Sequence, residues 1–311
     1  LIKTAKAFAP GAISSFFEIC DTQNGDPITD LEKMGAIGGG FGLEKGVHTK
    51  VTVQEAEKNS IDCFVNFKLV SKAKTSKKVA ETLLSKTNKK YAVTIEHQIE
   101  VPVGAGFGTS AGGALTVGLA LKEALNLPLT YNQIGKIAHA VEIECQTGLG
   151  TVSALSFSGG CVLVVEPGAP GVCQIDRIPM TPNYMVVAGF FQSNTPKKPV
   201  FSSPERKEQI NLYGRKTLNA ILAKPSLKNF LDNCWDFSQK AGFATENIRQ
   251  LVSIAKKNGA IGAAQNMLGE AVHALVLEEN VEQVAEAFKQ VLPTQQVIVS
   301  KIDFQGARLL K

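Results

Sequence analysis

The sequence predicts an α+β protein of two lobes, and three observations carry that expectation. The chain has 311 residues, 44% of them hydrophobic and 20% charged, a length and composition that suit two ordinary domains. Strand-like runs open the chain, whereas helical periodicity fills most of 205–292; strands followed by helices mark the α+β class. A proline- and glycine-rich stretch at 167–171 separates the two regimes. The boundary is therefore expected near 172–182, dividing the chain into lobes of 1–175 and 176–311.

Taken in order, 2–8 reads as a first strand stopped by Pro10-Gly11, with an extended pattern resuming over 9–20. By itself that segment is equally two edge strands joined by a turn. Asn24-Gly25-Asp26-Pro27 signals a turn. The glycine-rich 35–42 reads either as an anion-binding loop or as the tight start of a strand. Strands are expected at 46–53, 60–70 and 91–99, with a helix at 77–86 that gathers Val79, Leu83 and Leu84 on one face.

The stretch 101–125, VPVGAGFGTSAGGALTVGLALKEAL, is the most informative. Gly104, Gly106 and Gly108 tolerate positive φ and admit close approach to the main chain. Successive main-chain N–H groups in such a loop make an anion-binding concavity. The helix that follows adds free N–H groups and the positive end of its dipole. Ala111, Gly112, Gly113 and Ala114 keep its first turn thin, and Leu115, Val117, Leu119, Leu121 and Leu125 make it apolar on most sides and so buried. A plain turn before a core helix would need only the glycines; Pro102-x-Gly-x-Gly-x-Gly-Thr109-Ser110 with a small-residue helix start favours phosphate. No lysine precedes Ser110, so this is not a Walker loop. No acidic residue ends a following strand at the distance a dinucleotide site requires.

Thr130 is positioned to cap a helix running to Cys145. On it His139 and Glu142, three apart, share a face. Each is read as a packing or solvated residue or as a functional one. A turn is expected at 147–154, strands at 159–165 and 184–191, helices at 205–222, 227–241, 246–256 and 281–292, and a strand at 296–302.

A net charge of +5 is too mild to argue for nucleic acid and suits an anionic small molecule. Six cysteines form no C-x-x-C pair and no His cluster joins them, which fits free thiols in a reducing cytoplasm. No apolar run approaches the ~18 residues that span a bilayer, and no apolar leader is visible.

Residues 102–114 resemble the second motif of the GHMP small-molecule kinases, the family of galactokinase, homoserine kinase and mevalonate kinase. The resemblance implies a fold with a ribosomal protein S5 domain 2-like first lobe and a ferredoxin-like second lobe. It implies that Pro102, Gly104, Ala105, Gly106, Phe107, Gly108, Thr109, Ser110 and Ala111 wrap the phosphates of ATP. Within the family, four stretches are similar to the archaeal pantoate kinases: 9–20; 138–150 with its AHxxE and TGLG; 159–170 with its GG and PGAPG; and 210–242 with its INLYG and KPS. That similarity implies that Ser110 and Glu142 hold Mg²⁺, whose preferred ligands are hard oxygens. It places Ser15, Ala36, His139 and Thr195 near the phosphoryl acceptor, and Met267, Leu268 and Gly269 as a brace for the phosphate loop.

Three positions depart from the pattern. Thr151 stands where an Asp would take the acceptor's proton, Leu163 where an Arg would grip a carboxylate, and Ala36 where a Ser is usual. The implied activity is ATP-dependent phosphorylation of a hydroxy acid, pantoate to 4-phosphopantoate on the archaeal route to coenzyme A. Mevalonate 3-phosphate as acceptor, or a pseudokinase that only binds nucleotide, are the alternatives. By analogy alone a homodimer is expected, with neither membrane nor nucleic acid as partner.

Overall fold

The computed structural model of the chain describes residues 2–157, 159–192 and 203–311. Strand β1 (Ile2–Cys20) leads through a small hairpin, β2 (Thr22–Gln23) and β3 (Asp26–Pro27), to β4 (Gly35–Glu55), with which it pairs antiparallel along nearly its whole length. The turn expected at Asn24-Gly25 closes that hairpin, both residues having positive φ (53° and 90°). Pro10-Gly11 does not stop β1. Proline has no N–H to give the ladder, and the register shifts between Pro10 and Gly11 instead, so one bent strand replaces the two expected.

The glycines at 35–42 resolve as strand. A Cβ on Gly40 would lie 1.6 Å from the Ile13 carbonyl oxygen of β1, so only glycine lets the two strands cross there. The expected strand at 60–70 is a hairpin of β5 (Ser60–Val65) and β6 (Lys68–Leu69), turned by Asn66 and Phe67 at positive φ. Helix α1 (Lys74–Leu84) and strand β7 (Tyr91–Ile99) follow. Then come α2 (Thr109–Leu125), α3 (Tyr131–Glu144), α4 (Thr151–Phe157), β8 (Cys161–Glu166) and β9 (Gln174–Ile178). Thr130 caps α3 in a capping box with Gln133, as its position predicted. The turn expected over 147–154 yields to α4 from Thr151 onward.

The second lobe contains β10 (Tyr184–Phe190), α5 (Pro204–Ala223), α6 (Leu227–Lys240), α7 (Glu246–Lys257), β11 (Gly262–Gln265), β12 (Ala271–Leu277), α8 (Val281–Lys289) and β13 (Val297–Lys301). Its antiparallel sheet runs β11-β12-β10-β13, which with chain order βαββαβ is the ferredoxin-like arrangement. The last strand, β14 (Arg308–Leu310), returns to pair with β1. The large sheet accordingly runs β14-β1-β4-β7-β5-β6, with β8 on β4 and β9 on β8. The division expected between 175 and 176 falls inside β9, and the first lobe's sheet also takes in 308–310.

Helix α2 lies against the large sheet with α1 and α3 on its flanks, and 12 of its residues are buried. A second core joins the lobes. Phe16 and Phe41 of the large sheet meet Phe230 and Phe237 of α6, the Phe41–Phe230 rings edge-on at 5.4 Å. Each such buried ring contributes about 1.5–3 kcal/mol by leaving water. No helix among the described residues is long and apolar enough to cross a membrane.

Candidate active site

β7 delivers the chain to the glycine loop, and α2 carries it away. Between them Ala105 and Phe107 are buried, while Gly104, Gly106 and Gly108 take φ of 81°, 84° and 61°. The apolar side chains anchor the loop and the glycines turn its main chain outward, Val103 being exposed at its tip. Gly108 is the N-cap of α2 and offers no side chain to the first turn. The N–H groups there remain available to a ligand, on a helix whose burial fixes its direction. The residues expected to bind phosphate, Pro102 and Gly104 through Ala111, run without a break from the loop into the first turn of α2.

Two segments close on it from outside. The Ala12 N–H donates to the Phe107 carbonyl at 3.0 Å. A turn at 266–269 packs against Gly106, whose Cβ, if present, would lie 3.0 Å from the Gly269 nitrogen. A Cβ on Gly269 would fall 2.0 Å from the Ala105 carbonyl oxygen. The turn itself is tied to β1, the Met267 N–H donating to the Ser14 carbonyl at 2.7 Å. Of the three residues expected to brace the loop, Gly269 is in contact with it, and Met267 ties the turn to β1.

Ser110, in the first turn of α2, donates a short hydrogen bond to Glu142 Oε1. The Thr147 hydroxyl donates to the same oxygen at 2.6 Å. The Thr75 hydroxyl, from the first turn of α1, lies 3.3 Å from both Ser110 Oγ and Thr147 Oγ1. Burial pushes the Glu142 carboxyl up from its ordinary range, and the bonds from Ser110 and Thr147 pull it partly back. One carboxylate bonded by two hydroxyls, with a third beside them, is a hard-oxygen set that fits Mg²⁺, an ion usually held by one or two carboxylates together with substrate phosphates. Among the described residues no three of His, Cys, Asp and Glu converge to hold a metal by themselves.

Beside the loop, residues 36 and 150–151 pack together. Gly150 packs on Ala36, a Cβ at 150 falling 3.1 Å from the Ala36 carbonyl oxygen, and the Thr151 methyl would lie 3.0 Å from a Cβ on Gly108. Thr151 therefore borders the glycine loop at Gly108, and Ala36 borders Gly150. Leu163 does not line an open surface; it is 1% exposed and packs in the interlobe core. Two expected acceptor contacts require correction. Ser15 is fully buried, its hydroxyl bonded to His273 Nε2 at 3.0 Å, because the register shift between Ser14 and Phe16 turns it into the core. His139 is 1% exposed and its Nε2 bonds the Met34 carbonyl at 2.9 Å, so it secures the 31–34 segment; burial lowers its pKa. Thr195 lies outside the described residues.

Sequence reasoning missed Thr75, which belongs to no motif and reaches Ser110 only through the packing of α1 on α2. It also assigned no role to Asn266 and His273, whose Oδ1 and Nδ1 are 2.8 Å apart.

The chain's likenesses agree with this geometry. Residues 74–159 match the GHMP kinases N terminal domain. A pantoate kinase of Methanocaldococcus jannaschii is 30% identical over 91% of this chain and 96% of its own. A pantoate kinase of Thermococcus kodakarensis is 28% identical over 92% and 91%. A solved structure described as a phosphotransferase related to the CoA biosynthesis pathway superposes with a TM-score of 0.84 at 25% identity, covering 99% of this chain and 98% of that one. With the cradle, the paired hydroxyl and carboxylate and these likenesses together, the chain belongs to the GHMP kinases and is an ATP-dependent phosphotransferase.

Proposed function

We propose that the chain phosphorylates an alcohol of a small hydroxy acid, pantoate foremost, yielding 4-phosphopantoate for coenzyme A synthesis. The observation that supports pantoate is the 30% identity to a pantoate kinase along nine-tenths of the chain. In this reading the main chain of 104–110 holds the ATP phosphates and the α2 N-terminus faces their charge. Ser110 and Glu142 hold Mg²⁺, and Thr75 and Thr147 fix the orientation of both. The ion, when bound, neutralises charge on the transferring phosphoryl group.

The acceptor oxygen attacks the γ-phosphorus as the β–γ bridging bond breaks. Thr151 stands in the sequence where the base is expected, and its hydroxyl is too weak a base to take the acceptor's proton. Transfer proceeds by positioning and charge neutralisation through a loose transition state, the proton leaving to water or phosphate. The acceptor's carboxylate is held without an Arg at 163. The six free cysteines suit the reducing cytoplasm in which such an enzyme would work. A homodimer is part of the reading, and sedimentation at micromolar protein tests it.

The changed residues at 36, 151 and 163 favour one second reading, a phosphorylated mevalonate as acceptor. ADP release from ATP and Mg²⁺ decides, measured in turn with pantoate, mevalonate, mevalonate 3-phosphate and homoserine. Turnover on pantoate alone bears out the first reading, and turnover on mevalonate 3-phosphate the second. Tight ATP binding without turnover on any acceptor would sink both.

A further inference from the structure

Ser15, His273 and Asn266 form a chain of hydrogen bonds through the core that joins the lobes. Ser15 stands on β1, His273 on β12, and Asn266 opens the turn that grips the glycine loop. The spacings are 3.0 Å from Ser15 Oγ to His273 Nε2 and 2.8 Å from His273 Nδ1 to Asn266 Oδ1. All three residues are 0% exposed. The imidazole is neutral, burial holding its pKa down at about 3. An amide oxygen only accepts, so Nδ1 carries the proton, Nε2 is bare, and the Ser15 hydroxyl donates to it. Phe41 packs edge-on to the ring at 5.9 Å and fixes its plane.

The side-chain bonds run through the core, and their Asn266 end packs against the glycine loop at Gly106. The Asn266 main chain accepts from the Gly269 N–H at 2.6 Å and donates to the Ala271 carbonyl at 2.8 Å. Its Cβ and carbonyl oxygen are the atoms a side chain on Gly106 would strike, both at 3.1 Å. The other end of the Asn266 amide, Nδ2, is buried with no hydrogen-bond partner among the described residues. A buried donor left unpaired is costly, so its place in this turn calls for a compensating role.

We propose that Ser15, His273 and Asn266 are positioning residues for the nucleotide. Through the 266–269 turn they hold the glycine loop in the shape that receives phosphate. Ser15, which resemblance placed at the acceptor, then acts on the nucleotide from the opposite side of the core. The inference rests on the reading that 104–110 holds the ATP phosphates. It predicts a split: disturbing the relay weakens ATP and leaves the acceptor alone.

The test uses the full chain with Ser15→Ala, Asn266→Ala and the double variant. Calorimetric Kd for the non-hydrolysable analogue AMP-PNP with Mg²⁺, KM for the acceptor and thermal unfolding are read together. Each single variant is expected to raise the AMP-PNP Kd by ~10-fold, with acceptor KM within about twofold. The double variant is expected to bind little worse than either single one, because both cut one chain of bonds. Folded variants with unchanged Kd overturn the relay, as do Kd and acceptor KM rising together in step with lost melting temperature.

Should the variants not fold, hydrogen exchange of the unaltered chain with and without AMP-PNP decides. Protection spreading from 104–110 to 266–273 supports the relay, and protection confined to 104–110 overturns it. An unaltered chain that does not bind AMP-PNP sinks the nucleotide reading itself, whereas binding that the variants leave untouched sinks only the relay.

Discussion

The two walls of the candidate site are built by opposite means. On the proposed nucleotide side the glycine loop presents main chain, with Ala105 and Phe107 anchoring it and Ser110 joining the oxygen cluster around Glu142. On the expected acceptor side, Ala36 stands for a hydroxyl and Thr151 for a carboxylate, while Leu163 is buried in the core and lines no surface there. The difference teaches that the phosphate cradle is a requirement of the reaction shared by every acceptor. The acceptor wall is free to change with what it must recognise. Under the proposed function, a loose transition state would tolerate the change, since charge neutralisation would rest on the nucleotide side.

Four expectations break or sharpen that contrast. The largest concerns the oxygen cluster. Ser110→Ala and Glu142→Gln should each lower kcat/KM by ~10²–10³-fold, the scale of losing a preorganised electrostatic group. Near-normal ADP release in both variants would remove the basis for the contrast.

Acid comes next, and it acts from beneath the nucleotide side. His97 is buried under α2, bonded to Thr49 at 2.7 Å and Ser76 at 2.9 Å, and burial lowers its pKa to about 4; His273 is lowered to about 3. Both are depressed below the ordinary 6.5, so the unfolded chain binds these protons first as pH falls. Stability is therefore full above pH ~6.5 and declines below it, by about 1.4 kcal/mol per pH unit for each histidine. Urea unfolding at pH 7 and pH 5 reads this, and a flat profile would show that these rings are not buried neutral.

The third is Gly108→Ala. Left-handed backbone costs about 1–2 kcal/mol for a residue with Cβ, and that Cβ would meet Ala12 at 2.6 Å. KM for ATP should rise ~10-fold while acceptor KM holds. The smallest effect is expected at the other wall. Thr151→Ala should change kcat by less than about threefold, because a threonine hydroxyl supplies none of the ~10²–10⁴ that a true base would. A large loss there would give the acceptor wall a catalytic group after all.

The sequence by itself determined whatever depends on neighbours along the chain. Gly104, Gly106 and Gly108 announce positive φ because only glycine adopts it cheaply; Thr130 announces a helix start. The apolar surround of 115–125 announces a buried helix, and a run of matched motifs announces the family. Tertiary structure alone decided what depends on residues far apart. Pro10-Gly11 became a bulge because β4 lay alongside to carry the strand on, and the glycines at 35–42 became strand because β1 crosses them. Thr75 reaches Ser110 across 35 positions and Ser15 reaches His273 across 258. A hydroxyl or imidazole looks the same in a sequence whether it faces substrate or core. Only packing, which buried Ser15 and His139 and left Glu142 beside Ser110, distinguishes the two.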